Sequence, residues 1–230
     1  RRTATLSRSG TSLTFSLCHV NILYINLMYK LILFDLGNVV IDISFDRIFT
    51  YWAALYQQNP DILRTRFRFG QVHADYESGR LTVEQFAQIV AQKLQLPLTQ
   101  NEFEAGWSDI FLGINPTIVP ILQHLRQKHI VAALSNTDPI HRRAFWQLYP
   151  NEMSLFERIF SSDEIGIRKP APEAYQIVLQ HYGILPQQTV FLDDKAENVA
   201  AAEHLGMKAI WVKDFGDIPV GLQHLNLLLT

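Results

Sequence analysis

The residues that could do chemistry in this chain fall on a few short stretches, the first being Lys30 to Asp42, KLILFDLGNVVID. Asp35 follows an unbroken apolar run, Leu31 to Phe34, whose lack of alternation suits a strand buried on both faces of a parallel sheet. It therefore emerges at the C-terminal end of a strand, where open α/β sheets bind their ligands. Alone, such a carboxylate is equally compatible with a polar turn, which Asp favours. Three further stretches shift that balance: LSNT at Leu134 to Thr137, RKP at Arg168 to Pro170, and FLDDKAEN at Phe191 to Asn198. Together they supply carboxylates, a hydroxyl, a carboxamide and an ammonium group, the side-chain types that serve as nucleophile, oxygen ligand and anion holder.

The elements that must position these groups change character after Val40. Ser44 is the expected N-cap of a helix whose apolar face carries Ile48, Trp52 and Leu55, closed by Asn59 and Pro60. A second short helix is expected from Asp61 to Phe69. A polar turn between Gly70 and Gly79 then holds His73, Asp75, Tyr76 and Glu77. Thr82 with Gln85, and Thr99 with Glu102, read as capping boxes, each with a hydrophobic staple: Leu81 with Phe86, and Leu98 with Phe103. This helical block, residues 44–112, reads as an insertion in an α/β core formed by 28–43 and 113–230. Its aromatics, among them Phe45, Trp52, Phe67, Phe86, Phe103 and Trp107, are most simply its own core.

From Asn115 onward helices alternate with strands. A helix with Ile118, Ile121, Leu122 and Leu125 on one face precedes a strand at Ile130 to Leu134, and Asp138-Pro139 opens a helix to about Tyr149. Ile159 and Phe160 make a short strand, Pro172 to Gly183 a helix, and Thr189 to Leu192 a strand. Ala196 to Leu205 is again helical, Lys208 to Val212 is the last strand, and a weak helix follows from Pro219. The fold class is thus α/β, a doubly wound parallel sheet with an inserted α-helical domain.

The chain has 230 residues, 48% of them hydrophobic, enough for a sizeable core. Twenty basic against 22 acidic residues give a net charge of -2, with no electrostatic footprint for nucleic acid or an anionic membrane. Cys18 is the only cysteine, so no intramolecular disulfide forms and a reducing, cytoplasmic location is expected. The first 27 residues are basic and rich in Ser and Thr, a composition shared with targeting peptides. Met28 is nevertheless the expected natural start, and 1–27 an upstream extension.

Asp35, Ser135-Asn136-Thr137, Lys169-Pro170 and Asp193-Asp194, in that order, resemble the motifs of the haloacid dehalogenase-like hydrolase superfamily, in its branch with a helical cap inserted after the first motif. The forms FDLGNV, LSNT, RKP and FLDD are most similar to the subgroup of sugar phosphatases that includes bacterial alpha-D-glucose-1-phosphate phosphatase. The resemblance implies a magnesium-dependent phosphatase acting on a small phosphorylated metabolite. Asp35 would be the nucleophile, forming an aspartyl-phosphate and dividing hydrolysis into two displacements. Asp35, the Gly37 carbonyl and Asp194 would hold Mg2+, with Asp193 as a close or alternative ligand. Ser135, Asn136, Gly37 and Asn38 would hold phosphate, and Lys169 would add positive charge beside nucleophile and phosphate.

One position departs from the pattern. The family's phosphatases usually carry a second Asp two residues after the nucleophile, as general acid and base; here Gly37 stands there. Asp42, Asp46 and His73 are candidates to replace it, and Tyr76, Glu77, Arg80 and Trp107 to contact substrate. An anomeric phosphate has a less basic leaving oxygen than an ordinary alkyl phosphate, which favours a sugar 1-phosphate such as glucose 1-phosphate. Two other readings remain open: a metal-independent 2-haloacid dehalogenase, and a non-catalytic module that binds a phosphorylated ligand or a protein. Paired carboxylates at Asp193 and Asp194 weigh against the dehalogenase, because they would repel an anionic substrate unless a cation sat among them.

Overall fold

A computed structural model describes residues 29–228; the expectations for 1–27 and Met28 lie outside the described residues. Strand β1 (Leu31–Phe34) is completely buried, as its apolar run requires, and lies at the centre of a five-stranded sheet. Beside it run β4 (Ile130–Ser135) and β6 (Thr189–Asp193), both parallel, with β5 (Arg158–Ser161) beyond β4 and β7 (Lys208–Trp211) beyond β6. The order β5-β4-β1-β6-β7 reverses direction about β1, so the chain crosses over on both sides of the strand that ends at Asp35. Helices between the strands cover both faces, giving the doubly wound α/β architecture. One face packs Ile32 and Phe34 against Ile118, Leu122 and Leu125, and the other packs Leu31 and Leu33 against Tyr175, Val178 and Leu179.

The helical block lies between β2 (Ile41–Ile43) and β3 (Phe111–Ile114), which pair antiparallel. Both connections to the block therefore run side by side, and the boundary expected after residue 112 falls inside β3. This short ribbon has too few residues to show a strand period in the sequence. It also displaces the expected cap: Ser44 gives its N–H to the Ile110 carbonyl, prolonging the ribbon, and α1 (Asp46–Tyr56) starts after Phe45 with no side-chain cap. Leu55 is not on the buried face. It is 46% exposed, and Phe49 and Ala53 join Ile48 and Trp52 instead.

The expected helix 61–69 is shorter, α2 (Pro60–Arg66), capped by the Asn59 side chain. Its chain breaks at Phe67, which turns extended and is buried against Phe69 and Phe86. The polar turn expected between Gly70 and Gly79 is largely a helix, α3 (Gln71–Glu77). No side chain caps its start, so neither a cap nor an apolar period announced it. Helices α4 (Val83–Leu94) and α5 (Gln100–Trp107) begin with the two expected capping boxes, at Thr82 and Thr99. Trp52, Phe86, Phe103 and Trp107 form the block's aromatic centre.

A buried polar contact joins this block to the sheet's own helices. Asp138 caps α7 (Pro139–Leu148), following α6 (Ile118–Leu125), and accepts from the Ile140 and His141 backbone. Its Oδ2 lies 2.8 Å from His141 Nδ1 and accepts from Trp107 Nε1 at 2.9 Å, while His141 Nε2 lies 2.7 Å from the Trp107 carbonyl. Burial works against charge on both partners, but their proximity outweighs it: the carboxyl is held below its ordinary range and the imidazole above. His141, charged, donates from both ring nitrogens. Among the described residues no helix is long and apolar enough to cross a membrane.

Gly106 in α5 allows the closest approach in the block, because a Cβ there would run into the Trp52 indole. Gly106→Ala is expected to lower stability by about 1–3 kcal/mol through overpacking, despite alanine's better helix propensity. Urea unfolding of the variant beside the unsubstituted protein checks this.

Candidate active site

Asp35 is the first residue past β1, and its N–H donates to the Leu192 carbonyl of β6 at 2.8 Å, so the backbone is paired right up to the carboxylate. The side chain is nearly buried. Lys169 lies beyond β5 and the short helix α9 (Ser162–Ile165); α8 (Pro150–Met153) precedes β5. Its ammonium sits 2.8 Å from Asp35 Oδ1 and 2.7 Å from Asp193 Oδ2, with 2% of the residue exposed. Lysine is almost never buried this far unless paired. Here two strand ends provide the pair.

Asp193, the last residue of β6, is completely buried. It also accepts from the Lys195 backbone at 2.8 Å and from Asn198 Nδ2 at 2.9 and 3.0 Å, so both of its oxygens are engaged. Asn198 belongs to α11 (Ala196–His204), which follows α10 (Pro172–Tyr182) and β6. Asp194 stands more open, with Oδ2 3.2 Å from Asn38 Nδ2 and 3.0 Å from Lys195 Nζ. Asn38 adopts a left-handed conformation, φ +56°, that its short polar side chain tolerates. In that turn its Oδ1 accepts from the Ile43 backbone and its Nδ2 reaches Asp194.

Asp35, Asp193 and Asp194 each offer an oxygen, and these atoms lie within 4.8 Å of one another. Burial pushes the Asp35 carboxyl up to about 7; Lys169 opposes that rise, while Asp193 and Asp194 add to it. For Lys169, burial disfavours the charge, but Asp193 and Asp35 outweigh it and hold the ammonium above its ordinary range. One buried ammonium therefore does not neutralise the cluster. The donor set, three carboxylates around an excess of negative charge, fits a small hard cation.

Among the other expected site residues, Asn136 lines the cavity beside Asp35 and Lys169. Its Oδ1 accepts from the Lys169 backbone at 2.8 Å and its Nδ2 donates to the Lys169 carbonyl at 2.9 Å. These bonds clip the Lys169 chain to the end of β4 and use one of the two N–H donors of the carboxamide. Ser135, 5% exposed, borders a cavity of about 40 Å³ that it shares with Gly37 and Thr137.

A larger cavity of about 310 Å³ opens over the carboxylates, with Asp35, Gly37, Asn38, Lys169 and Asp194 on one side. The inserted block contributes Phe45, Phe69, His73 and Glu77, and Ile43, Asn136, Arg168, Lys195, Glu197 and Asn198 complete the wall. Of the substrate-contact candidates, Glu77 reaches this cavity; Tyr76 and Trp107 are buried in the aromatic centre, and Arg80 pairs with Asp75 at the surface. Of the candidates to replace the missing acid, His73 lines the cavity. Asp42 borders a separate, open one with Asp194, and Asp46 pairs with Arg64 in solvent. Sequence reasoning passed over Ile43, Phe45, Phe69 and Arg168 as site residues. Arg168 alone carried a signal, its place beside Lys169.

A carboxylate and a buried ammonium at the carboxyl end of a central parallel strand, with two more carboxylates beside them, define a hydrolase-type site on a Rossmann-like core. Residues 29–206 match the haloacid dehalogenase-like hydrolases, and the chain belongs to that family. It is 24% identical over 197 residues to D-ribitol-5-phosphate phosphatase of Bacteroides thetaiotaomicron, covering 83% of this chain and 95% of that one. It is 29% identical over 98 residues to a phosphorylated carbohydrates phosphatase of Thermotoga maritima, covering 42% of this chain and 45% of that one. A family enzyme from Bacteroides thetaiotaomicron, solved in complex with magnesium and inorganic phosphate, superposes with a TM-score of 0.71 at 26% identity, over 80% of this chain and 93% of that one.

Removing Lys169 would leave two buried carboxylates without their shared cation. Lys169→Met is expected to destabilise the metal-free protein by about 3–5 kcal/mol at neutral pH, as broken buried pairs do. Denaturant unfolding in EDTA tests it; a loss below 1 kcal/mol, the level of an exposed pair, would show that the ammonium is not structurally paired there.

Proposed function

We propose that this chain is a magnesium-dependent phosphatase that hydrolyses a small phosphorylated metabolite, a sugar phosphate such as glucose 1-phosphate, through an aspartyl-phosphate on Asp35. The observation that carries the reading is the buried contact of Asp35 with Lys169 beside Asp193 and Asp194. The metabolite phosphatases among its relatives support the same class. A single cysteine and the absence of a basic surface balance fit a cytoplasmic enzyme with no nucleic-acid partner.

In this mechanism an Asp35 oxygen forms a bond to phosphorus as the bond from phosphorus to the leaving oxygen breaks. Water then attacks the phosphorus of the aspartyl-phosphate, releasing inorganic phosphate and restoring the carboxylate. Lys169 holds Asp35 in place and offsets negative charge as the phosphate approaches. Asp35, the Gly37 carbonyl and Asp194 would hold Mg2+, which when bound neutralises nucleophile and phosphate together. Asp193 is better placed to hold Lys169 and α11, since both of its oxygens already accept hydrogen bonds. Ser135, Asn136, Gly37 and Asn38 are the groups proposed to receive phosphate oxygens beside Lys169, and the Asn136 side chain also holds the Lys169 chain.

Gly37 can bind a cation through its carbonyl but cannot transfer a proton, help typically worth about 10² to 10⁴ in rate. A sugar 1-phosphate, whose leaving oxygen is less basic, tolerates that loss better than a 6-phosphate. Phosphate release from a panel of sugar phosphates is expected to require magnesium, to vanish in EDTA and in Asp35→Asn, and to favour glucose 1-phosphate over glucose 6-phosphate. Equal turnover of those two would remove the leaving-group argument. Magnesium-independent chloride release from chloroacetate, with no phosphate release from any ester, would establish the dehalogenase instead.

A further inference from the structure

The wall that α3 gives to the cavity is polar where it could have been hydrophobic. His73 and Glu77 lie one helical turn apart, 8% and 4% exposed, and Arg168 meets them from the strand side. Glu77 Oε2 is 2.6 Å from Arg168 Nε, and Glu77 Oε1 is 3.5 Å from His73 Nε2. The first contact is a buried ion pair, and beside it His73 Nε2 is buried without a hydrogen-bond partner. Buried polar atoms are rarely left so, and an unpartnered imidazole next to a carboxylate and a guanidinium that line the same cavity marks a place shaped for something that supplies the missing bond.

We propose that Glu77, His73 and Arg168 form a subsite that binds hydroxyl groups of the substrate's organic part, which makes the enzyme selective for sugar and polyol phosphates over alkyl phosphates. This rests on the phosphatase reading and extends it to specificity. A hydroxyl both donates and accepts: it can give its proton to the Glu77 carboxylate while its oxygen accepts from Arg168. His73 is held neutral, since burial lowers its imidazole to about 4, and a neutral imidazole offers one donor and one acceptor. Phe45 and Phe69 pack edge-on against His73, with ring centroids 6.0 and 5.0 Å away, and also line the cavity, leaving apolar surface for the C–H face of a carbon chain. An alkyl substituent would fill the same space while keeping the His73 imidazole unpaired and the Glu77–Arg168 pair dry. Sites built to bond a hydroxyl reject the analogue lacking it far more strongly than apolar pockets discriminate by size.

The substrate-side test uses the unsubstituted protein with magnesium: kcat/KM for a five-carbon polyol 5-phosphate against n-pentyl phosphate, which has the same length and leaving-group position. A preference of about 10²-fold or more for the polyol is expected; equal values, or a preference for pentyl phosphate, would overturn the subsite. Glu77→Gln is expected to lose at least about tenfold more kcat/KM with the polyol phosphate than with pentyl phosphate, since only the former uses the carboxylate. Equal losses with both would overturn the proposal and point to Glu77 as a proton donor or as a strut for α3. Calorimetry on Asp35→Asn separates this from the wider reading. Polyol phosphate binding weakened by Glu77→Gln, with inorganic phosphate binding unaltered, supports the subsite even if no ester is turned over. Unaltered polyol phosphate binding overturns it, whereas failure of the unsubstituted protein to hydrolyse phenyl phosphate would count against the phosphatase reading alone.

Discussion

The contact on which the site depends is the Lys169 ammonium held between Asp35 and Asp193. Desolvating a lysine is costly, and a single carboxylate in good geometry often does no more than offset that cost. Here the two carboxylates come from neighbouring parallel strands, β1 and β6, whose register sets Phe34 beside Leu192 and so brings their next residues together at the sheet's edge. The third strand, β4, takes part through Asn136, whose carboxamide binds both the N–H and the carbonyl of Lys169. Removing any one strand end would leave a buried charge or a buried peptide group unpaired. The position of Asp35 is thus a consequence of sheet pairing and not of loop conformation.

The inserted helices must be held with comparable accuracy if they are to complete a cavity over that edge. Two features do this. The β2–β3 ribbon binds both connections together, so the block cannot pivot on a single strand of chain. The Asp138–His141–Trp107 contact ties α5 to α7 by a buried pair that is charged and saturated with hydrogen bonds. The Glu77–Arg168 ion pair joins α3 to the Lys169 segment and Arg143 of α7 pairs with Glu104 of α5, but beside the former the His73 imidazole is left without a partner. The Asp138 contact is thus complete without a ligand, whereas the polar group of α3 at the cavity wall is not.

The sheet and its order of elements were legible because buried parallel strands are written as apolar runs, and because α7, α8 and α10 open at a proline, with Asp138 capping α7. The core of the site was legible for a related reason: Asp35, Lys169 and Asp193-Asp194 are charged residues directly after such runs or beside a proline. What the sequence hid is short or uncapped. The ribbon strands are three and four residues long, and α3 starts at a glycine without a side-chain cap, so His73, Tyr76 and Glu77 read as one polar turn. Only the helix shows that Tyr76 turns into the aromatic centre while His73 and Glu77, one turn apart, face the cavity. Asn136 is marked by type and place, and the fold adds what the sequence does not show, that its amide also holds the Lys169 backbone at the cavity wall.

Gly37 is where sequence and structure have to be combined. By sequence it lacks the acid of the family's pattern; by structure a Cβ there would lie 2.7 Å from Ile43 Cδ1, the far end of a side chain that can turn aside. Ile43 ends the β2 strand, and its backbone is bonded to Asn38, the residue that also reaches Asp194. The glycine, the left-handed Asn38 and the isoleucine therefore form one unit, in which a side chain at 37 could enter only if Ile43 turned aside. Ile43 also lines the cavity over the carboxylates, so on this side the turn presents apolar surface, whereas α3 and Arg168 present polar groups to the same space.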